Sequence, residues 1–288
     1  MIPRKIALLT DSCADVSPEL AEKHHIYVVP LRILCEDGEY QDGVNIHSAE
    51  IYERLRAGEL PKTSLPSTEE IARVVRQIVA DGYDGVIAVM LSSGLSGTFN
   101  LSRILAEECE GFLEIRAYDS LSASLGLGMT VLQLAEDIEN GMGWEELTER
   151  RVPQLIEGSH PFFTVDTLEY LLKGGRIGKV TATAGTLLQI KPVLGFAEDG
   201  QLKSVAKARG RHQVIDKLVE LAVKACGEHK RYNLAVANGG APEEMAKVRE
   251  KLTAALPDYD HIWEGEIDGT LSVYIGDGVL GAAVQILD

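Results

Sequence analysis

The sequence predicts an α/β protein of two domains: a doubly wound, mostly parallel sheet in residues 1–155 and an α+β domain in residues 156–288. Three observations support this prediction. Apolar strand-like runs alternate with amphipathic helices in the first half, as they do in doubly wound sheets. Short loops of small polar residues follow several of these strands. Beyond about residue 150 the pattern changes, and a hairpin followed by further helices and strands indicates a second domain.

Strands and helices alternate through the first half. Ser17 is placed to cap a helix that has Pro18 as its first residue. The clearest helix begins at Ser67, where Glu70 completes a capping box, and it ends before Gly82. The remaining predictions are strands over 5–9, 26–33, 86–91 and 115–118, helices over 47–55 and 100–108, and a polar connector over 58–66.

The second half has a different order of elements. Asp199 and Gly200 lie between two short apolar runs, and this combination predicts a β-hairpin. The predicted elements are a strand over 161–165, the hairpin of 193–197 and 202–205, helices over 215–223 and 245–256, and strands over 234–237, 261–267 and 282–287. This mixture predicts the α+β domain.

Size, charge and hydropathy exclude several classes of function. The 288 residues suffice for one large or two medium domains. The formal net charge of −16 argues against nucleic acid or an anionic membrane as the main partner. No apolar run reaches the roughly 18 residues that a membrane span needs, so no stable membrane insertion is expected. Strand-like sequence begins at Lys5, which predicts the absence of a signal peptide and a cytoplasmic protein.

The cysteines and histidines form no recognisable metal or catalytic set. The four cysteines are far apart in the sequence and lack CxxC spacing, so we expect them to be reduced and mostly buried. The histidines are scattered, and none forms a metal-binding pair at helical spacing. The sequence therefore predicts neither a metal nor a cofactor, and it gives little support to general-base catalysis.

The segment from Ser92 to Thr98 is the most informative one in the chain. It directly follows the buried strand-like run 86–91 and precedes the helix over 100–108. A loop of small residues between a strand and a helix presents backbone N–H groups, and its glycines let a ligand approach closely. Its hydroxyls are further donors. We therefore expect an anion-binding loop, although a turn without a ligand has a similar composition.

Two other strand ends also carry polar residues. Thr10-Asp11-Ser12 and Asp119-Ser120 follow strands of the predicted sheet, and ligands of open α/β sheets bind outside the carboxyl ends of the strands. As an alternative, Asp11 and Asp119 only cap the helices that follow. The turn Lys173-Gly174-Gly175-Arg176 suits either an arginine held in a fixed position or a plain helix terminus.

Three familiar catalytic or nucleotide-binding motifs are incomplete. Gly94 to Thr98 lacks the final glycine of a nucleophile elbow. Residues 173–180 approach the phosphate-binding loop G-x-x-x-x-G-K-[ST], but Lys173 replaces the first glycine and Val180 replaces the Ser or Thr. No G-x-G-x-x-G joins a strand to a helix.

Taken together, these segments resemble the DegV family of bacterial fatty-acid-binding proteins over nearly the whole chain. The most specific set is Thr63-Ser64-Leu65-Pro66-Ser67, the loop from Ser92 to Thr98, and Leu168 to Ile177. The resemblance implies two domains that enclose one long-chain fatty acid, with its carboxylate near the serine and threonine loops and its tail in an apolar tunnel. It also implies a carrier without covalent chemistry. Some members present the acid to a separate fatty-acid kinase, which phosphorylates the carboxylate.

The resemblance also assigns roles to residues of this chain. Arg176 and Arg209 match arginines at the exit of the head group, where a kinase would dock. The residues assigned to carboxylate binding by the resemblance are Thr63, Ser64, Ser93 and the backbone N–H groups from Gly94 to Ser96.

One departure from the family pattern lies in the segment Tyr274 to Gly278. Family members typically have H-x-G-P-G there, so Tyr274 replaces the histidine and Asp277 replaces the proline. A tyrosine hydroxyl also donates to a carboxylate, and Tyr274 therefore joins the expected head-group ligands. Asp277 is less favourable for an anion. These two replacements leave open whether this chain binds the head group, or couples to a kinase, in the same way as other family members.

Two other functions stay open. An acyl or phosphoryl transferase or hydrolase would use Ser93 or Ser96 as its nucleophile, but no histidine pairs convincingly with either serine. A carrier of another small anion, such as a phosphorylated metabolite, would use the same loop and a short closed pocket.

Overall fold

A computed structural model describes residues 4–180 and 190–288 of the chain. Up to residue 157 the elements are, in chain order, β1 (Ile6–Asp11), a 3-10 turn (Ser12–Ala14), α1 (Pro18–Lys23), β2 (Ile26–Val29), β3 (Arg32–Cys35), β4 (Gly38–Gln41), α2 (Ser48–Arg56), β5 (Lys62–Ser64), α3 (Thr68–Ala80), β6 (Gly85–Met90), α4 (Thr98–Glu108), β7 (Glu114–Asp119), α5 (Leu125–Glu139), α6 (Trp144–Glu146), a π-helical segment (Leu147–Arg151) and α7 (Val152–Glu157).

A parallel four-stranded sheet in the order β2-β1-β6-β7 confirms the doubly wound first half. Strand β6 is buried along its whole length because helices cover both faces of this sheet. Its side chains alternate between two cores. Val86 and Ala88 pack with residues of α3 and α4, whereas Ile87 and Val89 pack with residues of α5.

The chain between β2 and α3 corrects two sequence predictions. Residues 26–33 are not one strand, because β2 ends before Pro30, which has no N–H to donate to a strand ladder. Strand β3 instead joins a separate antiparallel sheet of order β4-β3-β5. Residues 58–66 are not only a connector, because β5 lies within them and pairs Thr63 with Ile33. The small sheet thus holds Thr63 on a strand.

The second half is built on a mixed sheet. From residue 159 the described elements are β8 (Ser159–Thr164), α8 (Glu169–Lys173), β9 (Ile190–Phe196), β10 (Leu202–Arg209), α9 (Gly210–Cys226), β11 (Tyr232–Gly239), α10 (Pro242–Ala255), β12 (Ile262–Glu266), α11 (Gly269–Ile275) and β13 (Val279–Ile286). Six of these strands form one sheet in the order β10-β9-β8-β13-β11-β12. The antiparallel pair β9 and β10 confirms the predicted hairpin. Helix α11 was not predicted.

Helix α5 lies between the two large sheets, and the sequence analysis did not assign it. Of its 15 residues, 12 are buried. Leu127 and Val131 pack with the parallel sheet, whereas Leu125 and Met129 pack with the mixed sheet. A helix that is buried on all sides has no single apolar stripe, and this removes the periodic signal that identifies surface helices. The domain boundary at residue 155 stays a prediction.

Two expectations from composition can be compared with the described residues. The four cysteines are free, and Cys13, Cys109 and Cys226 are buried, as predicted. None of the helices in the described ranges combines the length and the apolar character needed to cross a membrane.

Candidate functional site

A large apolar cavity lies between the carboxyl ends of the parallel strands and the mixed sheet. The space between its walls amounts to about 910 Å³, open solvent at the mouth included. The loops after β6 and β7 form one wall, strands β8, β11 and β13 form another, and α11 forms a third. The apolar side chains of the lining are Leu31, Leu91, Leu95, Ala123, Leu125, Pro161, Phe162, Phe163, Leu171, Phe196, Leu202, Ala235, Ala237, Ile267, Leu271, Ile275, Ala282 and Ala283.

A small number of polar side chains also line this cavity. Four of the predicted site residues are among them, and they come from four separate parts of the chain. Ser124 and Thr270 were missed by the sequence analysis. The polar side chains of the lining are Thr63, Ser96, Ser124, Arg176, Thr270 and Tyr274.

Tyr274 is the centre of the polar end. Its hydroxyl lies 2.6 Å from Thr63 Oγ1. The Arg176 guanidinium lies 5.0 Å from the centroid of the Tyr274 ring, in cation–π contact with it. Arg176 also donates to the carbonyl of Gly174 at 2.8 Å and to that of Leu95 at 3.4 Å. Two hydroxyls and one guanidinium thus lie together, and all three are groups that donate hydrogen bonds to a carboxylate.

Local sequence explains how Tyr274 reaches this position. Asp268 caps α11 by accepting the N–H of Leu271, and Gly276 follows the helix with φ 67°. A Cβ on Gly174 would lie 2.3 Å from Tyr274 Cδ1, so the ring packs directly on this glycine backbone. The glycines of the turn at 173–176 are therefore required by the tyrosine ring as well as by the helix end.

The loop from Ser92 to Thr98 contacts the β9–β10 hairpin. Ser92 Oγ donates to the carbonyl of Gly200 at 2.7 Å. A Cβ on Gly94 would lie 2.4 Å from the carbonyl carbon of Gly200. Gly94 thus permits a close approach of two backbones, which sequence reasoning had attributed to the approach of a ligand. Ser96 is the loop hydroxyl that lines the cavity, and its Oγ lies 2.9 Å from Thr98 Oγ1.

Ser93 and the N–H groups of this loop have other surroundings. The Ser93 side chain is exposed and does not line the cavity, and its N–H donates to Asp119 Oδ1 at 3.1 Å. The N–H of Gly94 donates to Ser92 Oγ, and the N–H groups of Leu95 and Ser96 donate to the carbonyl of Ser92. These N–H groups therefore already donate to acceptors within the protein. Their assignment to a carboxylate stays a prediction.

Ser64, Arg209 and Asp277 complete the set of predicted positions. Ser64 is half-buried, and its hydroxyl donates to the carbonyl of Leu65 at 3.4 Å. Arg209 is exposed at the end of β10 and does not line the cavity. Asp277 forms an ion pair with Arg56 at 2.7 Å. The ion pair offsets the negative charge of Asp277, which is unfavourable beside an anion.

The two aspartates at strand ends hold backbone groups. Asp11 accepts the N–H groups of Leu91 and Cys13 at 2.8 and 3.0 Å, and burial raises its pKa to about 7. Asp119 accepts the N–H groups of Ser93 and Leu121. Neither side chain lines the cavity. Asp11 caps the 3-10 turn at Ser12, whereas Asp119 caps no helix and instead holds the loop after β6 and the turn after its own strand.

Comparisons with known proteins agree over nearly the whole chain. The model of an uncharacterised protein family, the DegV family, matches residues 5–286. A DegV domain-containing protein from Clostridium acetobutylicum is 38% identical over 280 residues, which cover 97% of this chain and 98% of that protein.

Two solved structures are also similar to the chain. One, described as fatty acid binding of a DegV family protein from Thermus thermophilus, has a TM-score of 0.91 and 31% identity, and the match covers 98% of this chain and 100% of that chain. The other is a stearic acid-binding protein from Eubacterium ventriosum, with a TM-score of 0.87, 28% identity and 98% coverage of each chain.

Proposed function

The chain belongs to the DegV family, and on that premise we propose that it binds one long-chain fatty acid. The tail lies in the apolar cavity, and the carboxylate lies at the polar end beside Thr63 and Tyr274. The proteins from Thermus thermophilus and Eubacterium ventriosum, which have the same fold, are described as binding fatty acid and stearic acid.

One observation carries this proposal: the cavity is apolar along most of its wall, and Thr63, Tyr274 and Arg176 meet at one place in it. That distribution matches a ligand with one charged end and a long hydrocarbon tail. Burial of about 15 methylenes at about 0.8 kcal/mol each gives roughly 12 kcal/mol before the costs of association. The tail therefore supplies most of the affinity, and the polar end sets the orientation.

The carboxylate has donors that are already close together. It accepts hydrogen bonds from the hydroxyls of Thr63 and Tyr274, with Arg176 beside them and Ser96 as a further hydroxyl of the same lining. Hydrogen bonds to a charged group contribute about 1.5–3 kcal/mol each, and desolvation cancels part of that. Participation of Ser64, Ser93 or the N–H of Gly94 requires these groups to exchange their present partners or to turn toward the cavity.

Transfer of the bound acid is the second part of the proposal. The protein carries the acid in the cytoplasm to a separate fatty-acid kinase and performs no covalent chemistry itself. Arg176 lies at the polar end of the cavity, and Arg209 is exposed at the end of β10. Both are therefore suited to contact a kinase that approaches the exposed carboxylate.

The arrangement of the two loop serines favours a carrier over a hydrolase or transferase. Ser96 Oγ pairs with Thr98 Oγ1, and the Ser93 side chain is exposed outside the cavity. Across residues 4–180 and 190–288, no histidine is hydrogen-bonded to either hydroxyl. A serine nucleophile needs an adjacent base.

Competitive displacement of a fluorescent long-chain fatty acid tests the proposed ligand. Palmitate should displace the probe at one site per chain, whereas inorganic phosphate and octanoate should displace it weakly, because they bury few methylenes or none. Equal displacement by inorganic phosphate would instead favour a carrier of small phosphorylated anions. Failure of the probe and of palmitate to bind would refute the proposal.

A further inference from the structure

Three aspartates meet where α11 begins. Asp15 Oδ1 accepts the N–H of Asp268 at 2.9 Å, and Asp42 Oδ1 accepts the N–H of Gly269 at 2.9 Å. Asp15 and Asp42 thus hold the first residues of the helix that carries Tyr274. Four residues of this helix line the cavity, so the position of α11 sets the shape of the proposed binding site.

The oxygen atoms of these carboxyl groups are almost fully used as acceptors. The second oxygen of Asp15 accepts the hydroxyl of Ser124, and that of Asp42 accepts the hydroxyl of Ser12 at 2.8 Å. Asp268 Oδ1 accepts the N–H of Leu271 at 2.8 Å. Asp268 Oδ2 is different, because it is buried and has no hydrogen-bond partner.

The carboxyl groups that interact with Asp268 are those of Asp42 and Asp15. A carboxyl oxygen of Asp42 lies within 4.8 Å of one of Asp268, and Asp15 accepts the N–H of Asp268. The Cys13 Sγ lies 3.9 Å from Asp268 Oδ1. The other titratable groups that face the cluster are Asp11 from β1, Glu266 from β12 and Tyr52 from α2. No lysine, arginine or histidine in the described part of the chain forms an ion pair with Asp15, Asp42 or Asp268.

A proton on Asp268 accounts both for the close approach of the carboxyl groups and for the absence of a hydrogen-bond partner at Asp268 Oδ2. Neighbouring carboxyl groups in a buried site do not all ionise, because each charge disfavours the next and burial disfavours the charged form. If Asp268 Oδ2 carries a proton, the unpartnered acceptor becomes a donor to a neighbouring carboxylate. Burial, followed by the charges of Asp42 and Asp15, raises the pKa of Asp268 well above its usual value, and burial raises the pKa of Asp15 as well.

We propose that Asp268 is a positioning residue of the fatty-acid site, which holds a proton at neutral pH and donates it in a hydrogen bond to Asp42 or Asp15. This bond joins the start of α11 to the first half of the chain and thereby keeps Tyr274 beside Thr63. Ionisation of Asp268 replaces the bond with repulsion between like charges. The inference rests on the proposed function for its effect on binding, but the proton itself does not depend on that function.

A bound cation is the alternative that would also neutralise the cluster. Donor atoms of Cys13, Asp42 and Asp268 lie within 4.8 Å of one another. However, both oxygens of Asp42 and one of Asp268 already accept hydrogen bonds from the protein. A thiol beside carboxylates also mixes a soft ligand with hard ones. The observed donors therefore favour a proton over a metal ion.

The variant Asp268→Asn tests the proposal, because its amide keeps the helix cap and donates permanently. Asp216→Asn, at an exposed carboxylate on α9, is the matched control. Infrared difference spectra at neutral pH should contain the carbonyl band of a protonated carboxylic acid in the wild-type protein and in Asp216→Asn, and that band should be lost in Asp268→Asn. Absence of a band specific to Asp268 would overturn the proposal, whether or not the protein binds fatty acids.

The pH dependence supplies the second readout. Because burial makes the pKa of Asp268 higher in the folded chain than in the unfolded one, its contribution to folding is complete below the unfolded-state pKa and is lost as the pH rises through the folded-state pKa. Because α11 carries Tyr274, the palmitate affinity of the wild-type protein should also fall as Asp268 ionises, whereas that of Asp268→Asn should lack this fall. The ionisation of palmitate itself affects both proteins equally.

Three results separate the possible failures. The shared proton would be overturned if the palmitate affinities of the two proteins had the same pH dependence. It would also be overturned if millimolar calcium or magnesium stabilised the wild type but not Asp268→Asn. Absence of palmitate binding in both proteins, with the infrared band present, would refute the proposed function and the effect on binding but would leave the proton in place.

Discussion

The hydroxyl of Tyr274 is the group whose removal tests the head-group assignment most sharply. The variant Tyr274→Phe keeps the ring that packs on Gly174 and lies under the Arg176 guanidinium. It deletes only the hydroxyl that lies 2.6 Å from Thr63 Oγ1. The apolar cavity is unchanged, so the variant separates binding of the carboxylate from binding of the tail.

The expected loss follows from the hydrogen bond to a charged group. Such a bond contributes about 1.5–3 kcal/mol, and 1.4 kcal/mol corresponds to a tenfold change in affinity. Palmitate should therefore bind to Tyr274→Phe about 10 to 100 times more weakly. Hexadecanol has the same tail and no carboxylate, so its affinity should change by much less. The free energy of unfolding should fall by no more than about 1.5 kcal/mol, because a single hydrogen bond is lost.

Isothermal titration with palmitate and hexadecanol measures both affinities, and Tyr118→Phe is the matched control. The Tyr118 hydroxyl donates to the carbonyl of Thr148 at 2.7 Å, away from the cavity. Its removal should leave palmitate binding unchanged. An equal loss of affinity for acid and alcohol in Tyr274→Phe, or no loss for either, would refute the assignment of this hydroxyl to the carboxylate.

Three further predictions concern the loop, the tail and the partner. Gly94→Ala should lower the melting temperature, because its Cβ would overlap a backbone carbonyl of the hairpin at a cost of about 1–3 kcal/mol. The control Gly97→Ala should be tolerated, because the atom nearest to its Cβ lies 3.5 Å away. Equal melting temperatures of the two variants would contradict the role of Gly94. Ala283→Phe should weaken palmitate binding by about 0.8 kcal/mol for each methylene that it excludes. Binding of the shorter decanoate should be less affected. Equal effects on both acids would place the tail elsewhere. Arg176→Ala and Arg209→Ala should slow phosphorylation of the bound acid by a fatty-acid kinase more than they weaken acid binding. Transfer of labelled phosphate measures the phosphorylation. Equal losses of phosphorylation and of acid binding would argue against contacts with the kinase.

Regular elements with strong local signals could be predicted from the sequence. Ser17 and Ser67 cap α1 and α3 as predicted, because a capping residue and its partner are only three positions apart. The end of β2 at Pro30 had a local signal that the sequence analysis did not use. Strand β5 had almost none, because three residues with two hydroxyls become a strand only by pairing with β3.

The polar end of the site was predictable in part. Thr63, Ser96, Arg176 and Tyr274 line one cavity, although they are distant in the sequence. Which serine of a loop faces the cavity depends on a tertiary contact, since Ser92 bonds to the hairpin and leaves Ser93 exposed. Helix α11 did have a local signal in the cap at one end and the glycine at the other.

The buried aspartates at α11 lay outside sequence reasoning for a related reason. Asp15, Asp42 and Asp268 each look like an ordinary cap or turn residue in the sequence. Only the fold brings them together, across more than 200 residues of chain between Asp42 and Asp268. Burial and mutual repulsion then raise the pKa values of Asp15 and Asp268, and neither property can be read from one position in the sequence.

The central claim is that the cavity holds one long-chain fatty acid. Its most direct test is mass spectrometry of an organic extract of the purified protein, with Ala283→Phe extracted in parallel. We predict about one long-chain acid per chain in the wild-type protein, since Thr63, Tyr274 and Arg176 form one polar end in the apolar cavity, and a reduced amount in the variant. A wild-type extract that repeatedly lacks such an acid, from protein that also fails to take up added palmitate, would contradict the account.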